Sequence, residues 1–517
     1  MGFVDQNLNM KLRSLFISCA LAASVQAADK PNIVFFLVDD MGTQDTSVPF
    51  YQNADGKFVT TDHNKLYRTP NMEKLAENGR MFTRAYAYSV CSPTRVTLMT
   101  GQAAPRHKVT TWTHPKTHKT DPGLVKTKTI KSPKWNQKGV PENITLLPHI
   151  LKKSGYTSLF AGKAHFGPDD TPNGNPLNLG FDVNIAGFGG GGPGSYYGKE
   201  NYSARFRGET IWDVPGLEKY HGTDTYLTEA ITIEMNAAIT KTVEKKKPFF
   251  AYMSHYAVHA PFLHPDPRFK KNYPTLKGHG LAFATLVEGM DKSLGDMVAH
   301  LEKLGVAEDT LIVFYSDNGS ASPLWTKTLR DKKGSRFEGG TRVPLIVAWA
   351  KPNSNNKFQK ALPIPKGTVD NHMVTCLDML PTFANLTGSE KPKDAIWDGY
   401  DVSSYFMGKN KVERKGGFLV HFPHRHQNTL FSNYLVGDEK IIYNYSSKKW
   451  EMYNIKTDPK EGNNLVQAHP AKALKLAKMM IAELDSQNAN YPLDVNTNKP
   501  VKPDLSTLPT KTAKSVR

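Results

Sequence analysis

The chain has 517 residues, 39% of them hydrophobic and 22% charged, with a formal net charge of +18. That length exceeds a usual single domain, so a large core with a smaller companion is expected, and the composition excludes a disordered or fibrous chain. The excess of lysine and arginine calls for an anionic partner, and no run after residue 30 is apolar for long enough to cross a membrane.

Met10-Lys11-Leu12-Arg13, then Leu15-Phe16-Ile17 and Ala20 to Ala23, have the basic-then-apolar order of a secretory signal, with Val25-Gln26-Ala27 as a small-residue cleavage site. Residues 1–27 are therefore expected to be removed and the protein to be periplasmic or secreted. A lipoprotein anchor at Cys19 is less favoured, because the apolar run ahead of it is short and Phe16 is atypical three residues before it. For an exported chain, an acidic polysaccharide is a better anionic partner than nucleic acid. Cys91 and Cys376 remain after cleavage, so this is no disulfide scaffold.

Asn32 to Val38 is a continuous apolar run ending in Asp39-Asp40, which predicts a strand buried on both faces. Thr69-Pro70 opens a helix that Asn78-Gly79 closes. In Cys91-Ser92-Pro93-Thr94-Arg95, Ser92 is expected to cap a helix that Gly101 ends, leaving Cys91 at its mouth beside free N–H groups and Arg95 on the near turn. Leu146 to Lys153 reads as helix and Thr157 to Phe160 as a strand delivering Gly162-Lys163-Ala164-His165. Thr223 to Thr242 is helical, Pro248 to Ser254 a strand, Ala282 to Leu304 a helix, Leu311 to Ser316 a strand, and Pro344 to Trp349 a further strand.

Such alternation predicts an α/β fold, a large and mostly parallel sheet flanked by helices, over residues 28–390. From 391 to 495 short strands at Gly417–Phe422, Tyr434–Val436, Lys440–Tyr443 and Trp450–Tyr453, with a helix near Ala471–Gln487, predict a small antiparallel subdomain. Residues 496–517 are rich in Pro, Lys and Thr and read as a basic disordered tail.

Four strands end in residues suited to catalysis: Asp39-Asp40, Lys163 with His165, His255 with His259, and Asp317-Asn318. Ligands gather outside the carboxyl ends of strands in open α/β sheets, so these groups are expected to share one pocket. Three carboxylates and an amide form a hard oxygen set suited to Ca²⁺ or Mg²⁺. Taken singly, each of these motifs could equally be a turn or a solvated charge.

Cys91-Ser92-Pro93-Thr94-Arg95 with Leu98-Met99-Thr100-Gly101 resembles the signature of the type I sulfatases, which depend on formylglycine and have an alkaline-phosphatase-like fold. Pro31 to Val34 leading to Asp39-Asp40-Met41-Gly42 is similar to that family's opening strand. Gly162 to His165, His259-Ala260-Pro261, Ser316 to Gly319, and Lys333 with Glu338 to Pro344 come in family order, and Met452 to Leu465 resembles the C-terminal subdomain. The resemblance runs from about 31 to 470, close to the secreted bacterial polysaccharide sulfatases. It departs at Asp331-Lys332, where the family commonly has glycine; Lys333 keeps the spacing to Glu338 and is chosen as the inward lysine.

The resemblance implies that Cys91 is converted to formylglycine by a formylglycine-generating enzyme or an anaerobic maturase, its hydrate supplying the nucleophile. It implies a cation held by Asp39, Asp40, Asp317 and Asn318, with residue 91 completing the set. Arg95, Lys163 and Lys333 would neutralise the sulfuryl oxygens, His259 would protonate the leaving oxygen, and His165 would assist collapse of the hemiacetal. Asp317 would also accept the nucleophile's proton.

The leaving group is not encoded in these motifs. Residues 106–138 hold nine Lys or Arg and one acid, with Trp112 and Trp135 among them, and a glycine-rich run from Gly187 to Gly194 precedes Tyr196 and Tyr197. Trp112, Trp135 or Tyr196 could stack on sugar rings, His255 either supports the site or touches substrate, and His424-Arg425-His426 resembles a segment near substrate in sulfatases of acidic polysaccharides. The expected substrate is a sulfated polysaccharide or its oligosaccharides, of carrageenan or glycosaminoglycan type. Two other readings stay open: a phosphodiester or phosphonate hydrolase on the same scaffold, and a sulfated-glycan binding protein with an unconverted Cys91.

Overall fold

The computed structural model describes residues 30–117, 127–324, 328–426 and 429–510, without the side chains of Arg425, His426 and Thr429. The signal segment and Cys19 lie outside the described residues. Ten strands precede the C-terminal sheet: β1 (Asn32–Val38), β2 (Arg80–Tyr86), β3 (Ile130–Lys131), β4 (Thr157–Gly162), β5 (Val183–Ile185), β6 (Phe249–Ser254), β7 (Thr310–Ser316), β8 (Arg342–Trp349), β9 (Thr368–Asp370) and β10 (Val374–Thr375). Nine of them form one sheet in the order β10-β2-β8-β7-β1-β6-β4-β5, with β9 also on β2. β8 runs antiparallel to both β2 and β7, and the other pairings are parallel.

β1 lies mid-sheet because every one of its apolar side chains has a layer to enter. Ile33, Phe35 and Leu37 join one core with the helices Cys91–Thr100, Leu147–Lys153 and Cys376–Leu386. Val34, Phe36 and Val38 join the other, with the helices Pro70–Asn78, Leu227–Glu244 and Gly278–Lys303. The period of two along a strand sends alternate residues to opposite faces, so a continuous apolar run requires helices on both. The adjacent parallel strands β7, β1, β6 and β4 all point their carboxyl ends the same way, which brings the four chemical motifs to one edge.

A second, antiparallel sheet has the order β11 (Phe418–His426), β12 (Thr429–Val436), β13 (Glu439–Asn444), β14 (Lys449–Asn454), and the helix Pro470–Ser486 packs on it. Two expectations change here. Residues after 390 stay on the large unit at first: Val402, Tyr405 and Phe406 enter its core, and Asp398 accepts from Ala103 N while pairing with Arg106. The tail expected to be disordered is built into the subdomain as far as residue 510. Just before it β15 (Leu493–Asp494) pairs with β3; within it the Val501 N–H donates to Pro492 O at 2.7 Å, Trp450 Nε1 donates to Asp504 O at 2.9 Å, and Leu508 is buried. Residues 511–517 lie outside the described residues.

Candidate active site

The helix expected to begin at Pro93 spans Cys91–Thr100, with Val90 rather than Ser92 at its cap position. Ser92 Oγ instead accepts from Thr113 N at 3.0 Å, fastening the helix mouth to the 110–113 segment, and Thr94 Oγ1 accepts from Tyr88 N. Gly101, at φ 70°, closes the helix in the left-handed region that glycine enters freely. Cys91 therefore sits in the first turn, 3% exposed, on the wall of a cavity of about 490 Å³. His165, His259 and Lys333 line the same cavity.

Beneath it lie the carboxylates. Asp39, Asp40 and Asp317 are buried with one oxygen of each within 4.8 Å of the others. The Asp40 N–H donates to Asp317 Oδ1 at 3.1 Å, and Asn318 Nδ2 donates to Asp40 Oδ1 at 2.8 Å. Asp39 Oδ1 and Asn318 Oδ1 are buried oxygens without a hydrogen-bond donor. Three hard carboxylates and an amide oxygen, two of their atoms short of a donor, fit an oxygen-preferring divalent cation. Burial and the neighbouring Asp317 push the Asp39 carboxyl up against the pull of Lys163. Burial acts upward on Asp40 and Asp317 too, but Lys333, His259 and Lys163 hold the first below its ordinary value, and Arg95 with Lys163 the second.

The three expected sulfuryl clamps separate. Arg95 is fully buried behind the carboxylates: Nε meets Asp317 Oδ2 at 2.8 Å, Nη1 meets Lys163 O and Ser254 Oγ at 2.7 Å, and Nη2 is 3.7 Å from Asp39 Oδ1. Lys163, also fully buried, holds Asp39 Oδ2 at 2.6 Å. Of the three, Lys333 lines the cavity, 2.6 Å from Asp40 Oδ1. Arg95 and Lys163 are thus paired with Asp317 and Asp39.

His165 and His259 each commit one ring nitrogen to a backbone carbonyl. The His165 Nε2 proton goes to Thr113 O at 2.8 Å, leaving a buried Nδ1 without a partner. The His259 Nδ1 proton goes to Ala260 O at 2.7 Å, leaving Nε2 3.6 Å from Asp40 Oδ2. Burial lowers both rings; for His259 Asp40 opposes and Lys333 assists, and the result is about 3. Asp40 (φ 63°) and His165 (φ 53°) both occupy the left-handed region, which costs a side chain about 1 kcal/mol or more and recurs at functional sites.

The expected substrate contacts fare unevenly. Trp112 lines the cavity, and so do Trp212 and Arg207, which no motif in the sequence singles out. His255 is fully buried on the other face of the sheet, against Phe36 and bonded to Ser293, so it touches no ligand. Tyr196 is buried, its hydroxyl donating to Tyr256 O and His259 O, and its ring is not offered to a sugar. His424 is buried between Trp135 and Phe422 and bonded to Thr110. The side chains of Arg425 and His426 lie outside the described residues. The glycine run finds its reason in contact rather than freedom: a Cβ on Gly191 would lie 2.7 Å from His165 Cε1, and one on Gly192 2.8 Å from His259 Nδ1.

Comparison with known proteins agrees with this geometry. The sulfatase family model matches residues 31–389, and that of the N-sulphoglucosamine sulphohydrolase C-terminal region matches 329–490. A sulfatase of Formosa agariphila is 27% identical, the match covering 92% of this chain and 93% of its own. The N-acetylgalactosamine-6-sulfatase of Mus musculus is also 27% identical, covering 87% and 79%. The crystal structure of Ps i-CgsB shares the fold, with a TM-score of 0.69 at 25% identity over 88% of this chain and 93% of that one. The fold is thus alkaline-phosphatase-like, and the chain belongs to the sulfatase family, the sulfuric ester hydrolases.

Proposed function

We propose that this protein is an exported sulfatase that hydrolyses sulfate esters on a sulfated polysaccharide or its oligosaccharides, of carrageenan or glycosaminoglycan type. The observation that carries the reading is the convergence of Cys91, His165, His259 and Lys333 on one cavity above three buried aspartates. Carbohydrate rather than a small aryl group is supported by Trp112 and Trp212 in the cavity wall, whose apolar rings suit sugar faces, and by the N-acetylgalactosamine-6-sulfatase relative. Cys91 as formylglycine would supply a hydrate oxygen as nucleophile. Ca²⁺ or Mg²⁺ held by Asp39, Asp40, Asp317 and Asn318 would supply Lewis acidity.

The chain's own groups do the rest. Lys333 faces the ester and offsets charge on the sulfuryl oxygens. Arg95 and Lys163 fix Asp317 and Asp39 from behind, so the carboxylates need not reorganise. His259 rests neutral because burial disfavours its charged form; an anionic ester seated against Lys333 offsets that lysine's repulsion and favours a proton, taken from solvent, on Nε2, which then passes to the leaving sugar oxygen. His165, with Nε2–H committed to Thr113, offers Nδ1 as the acceptor that returns the site to its starting state.

Purified protein coexpressed with a formylglycine-generating enzyme should show the aldehyde in place of the Cys91 thiol by peptide mass spectrometry. It should release sulfate from defined sulfated oligosaccharides, and much faster than it cleaves a matched phosphodiester. Activity surviving in Cys91→Ala would overturn the nucleophile, and a faster phosphodiester rate would overturn the reaction class.

A further inference from the structure

The basic stretch 106–138 is only partly accounted for by the active site. Trp112 and Thr113 reach the cavity of Cys91, while Lys131, Lys134 and Trp135 line a different one, of about 790 Å³, together with Asn490, Tyr491 and Pro500. The two cavities share no lining residue. The second is a built feature: β3 and β15 pair along it, and Asn490 Nδ2 donates to Lys134 O at 2.9 Å, tying the basic stretch to the C-terminal segment.

Its chemistry points to one kind of occupant. Among the described residues neither Lys131 nor Lys134 has an ion-pair partner, and Lys134 is exposed. The nearby acids are already engaged, Asp485 by Lys502 and the Tyr491 hydroxyl, Asp494 by the N–H groups of Asn496 and Thr497. The groove therefore presents two lysines without an ion-pair partner among the described residues beside the half-buried Trp135 ring. Trp135, half-buried, is held against His424 and need not be ordered when a ligand arrives, whereas Tyr491 is buried beneath Lys502 and against His421 and serves as the floor. A small anion would use the lysines and leave Trp135 idle; an acidic peptide would need donors and acceptors for its backbone. An extended sulfated glycan uses both, with a sugar face on Trp135 and sulfates on the ammonium groups.

We infer that this groove is a second binding site for a sulfated glycan chain, separate from the catalytic cavity, which holds polymeric substrate at the enzyme surface. The ligand class rests on the proposed function. His424, bonded to Thr110 and packed on Trp135, joins the groove wall to the segment that carries Trp112 and Thr113.

The test is affinity electrophoresis in native gels containing ι-carrageenan, with neutral agarose as the comparison, run in a Cys91→Ala background so that the matrix is not hydrolysed. The protein should be retarded by the sulfated gel alone, and Lys131→Gln/Lys134→Gln should bind several-fold more weakly. In the otherwise native enzyme, that pair should raise KM for polymer several-fold, with kcat and the rate on a small aryl sulfate unchanged. Lys270→Gln/Lys271→Gln, on a surface turn elsewhere, controls for net charge and should behave as wild type. Unaltered retardation in the groove pair, equal loss in the control pair, or no retardation at all overturns the inference. Retardation that depends on the groove in a protein releasing no sulfate from any ester would instead sink the proposed function and leave the groove standing.

Discussion

Lys440 makes a demanding prediction, because its side chain is 2% exposed between two fully buried carboxylates. Its ammonium group lies 3.1 Å from Glu338 Oε1 and 3.0 Å from Glu461 Oε1. Glu338 also receives the Tyr86 hydroxyl, and Glu461 Oε2 accepts the Glu338 N–H at 2.7 Å. The cluster joins β13 and the loop after β14 to the segment that begins at Lys333. Replacing Lys440 with Met leaves two buried carboxylates facing one another, and breaking a buried pair of this kind costs about 3–5 kcal/mol. The loss must depend on pH. Burial and Glu338 already raise Glu461 to about 7 against the pull of Lys440, so its folded value lies above its unfolded one. The group's stabilising contribution is then full below its ordinary value near 4.5 and fades as pH rises through about 7. Without Lys440 the raised value climbs further, so Lys440→Met should be hurt more at pH 8 than at pH 5. Lys440→Met/Glu461→Gln, which removes the second charge, should recover a large part of the loss, since Arg342 and Tyr86 still face Glu338. Urea midpoints tracked by tryptophan fluorescence read all three proteins. A single variant as stable as wild type, or a double variant no better than the single, would refute the electrostatic account.

Acid should weaken the fold through His421, whose ring accepts from Ser432 and donates to Asn490 O, and which burial lowers to about 4. A depressed folded value gives stability that is complete above about 6.5 and is lost as pH falls towards 4, about 3 kcal/mol in all, and His421→Gln should flatten that slope in pH-dependent unfolding. Gly192→Ala should cut the rate on aryl sulfate at least about tenfold with little change in the unfolding midpoint, because its methyl group would meet the His259 ring and displacing a catalytic group by about 1 Å is costly. Unchanged kinetics would mean that the ring yields freely. Ca²⁺ should raise the thermal midpoint of the chelator-treated protein, and Asp317→Asn should lose that rise, whether or not residue 91 is converted.

The sheet and the aspartate cluster at its edge are legible in the sequence for a common reason. Strands buried on both faces must be continuously apolar, so β1, β6 and β7 stand out, and the residues just after such a strand fall at its carboxyl end. β2 escapes because its run, Arg80 to Tyr86, mixes two arginines and a threonine into the apolar pattern, and the Arg80 and Arg84 side chains find Asp370 and Asp438. The helix Cys376–Leu386 escapes because Pro381 lies inside it. The tail misleads through composition: its Pro and Lys residues describe a surface strap, while the anchors, Leu508 and the Asp504 carbonyl, are too few to form a pattern.

Side-chain direction is the information a motif does not carry, and the site shows why that matters. His255 and His259 leave the same strand end four residues apart, yet one turns into the core against Phe36 and the other into the cavity. Arg95 and Lys333 carry the same charge and match the same family role, but one lies wholly beneath the carboxylates and the other beside the cavity. A motif fixes which residues meet; whether each touches the reacting atoms or steadies the group that does depends on the packing around it. Glycine is the exception that a sequence does display. Gly191 and Gly192 press backbone against His165 and His259, so a glycine run in a chain with paired histidines at strand ends is a clue to the wall that orients them. That wall, with Trp212 and Arg207 beyond it, lines the cavity without contributing to the aspartate cluster.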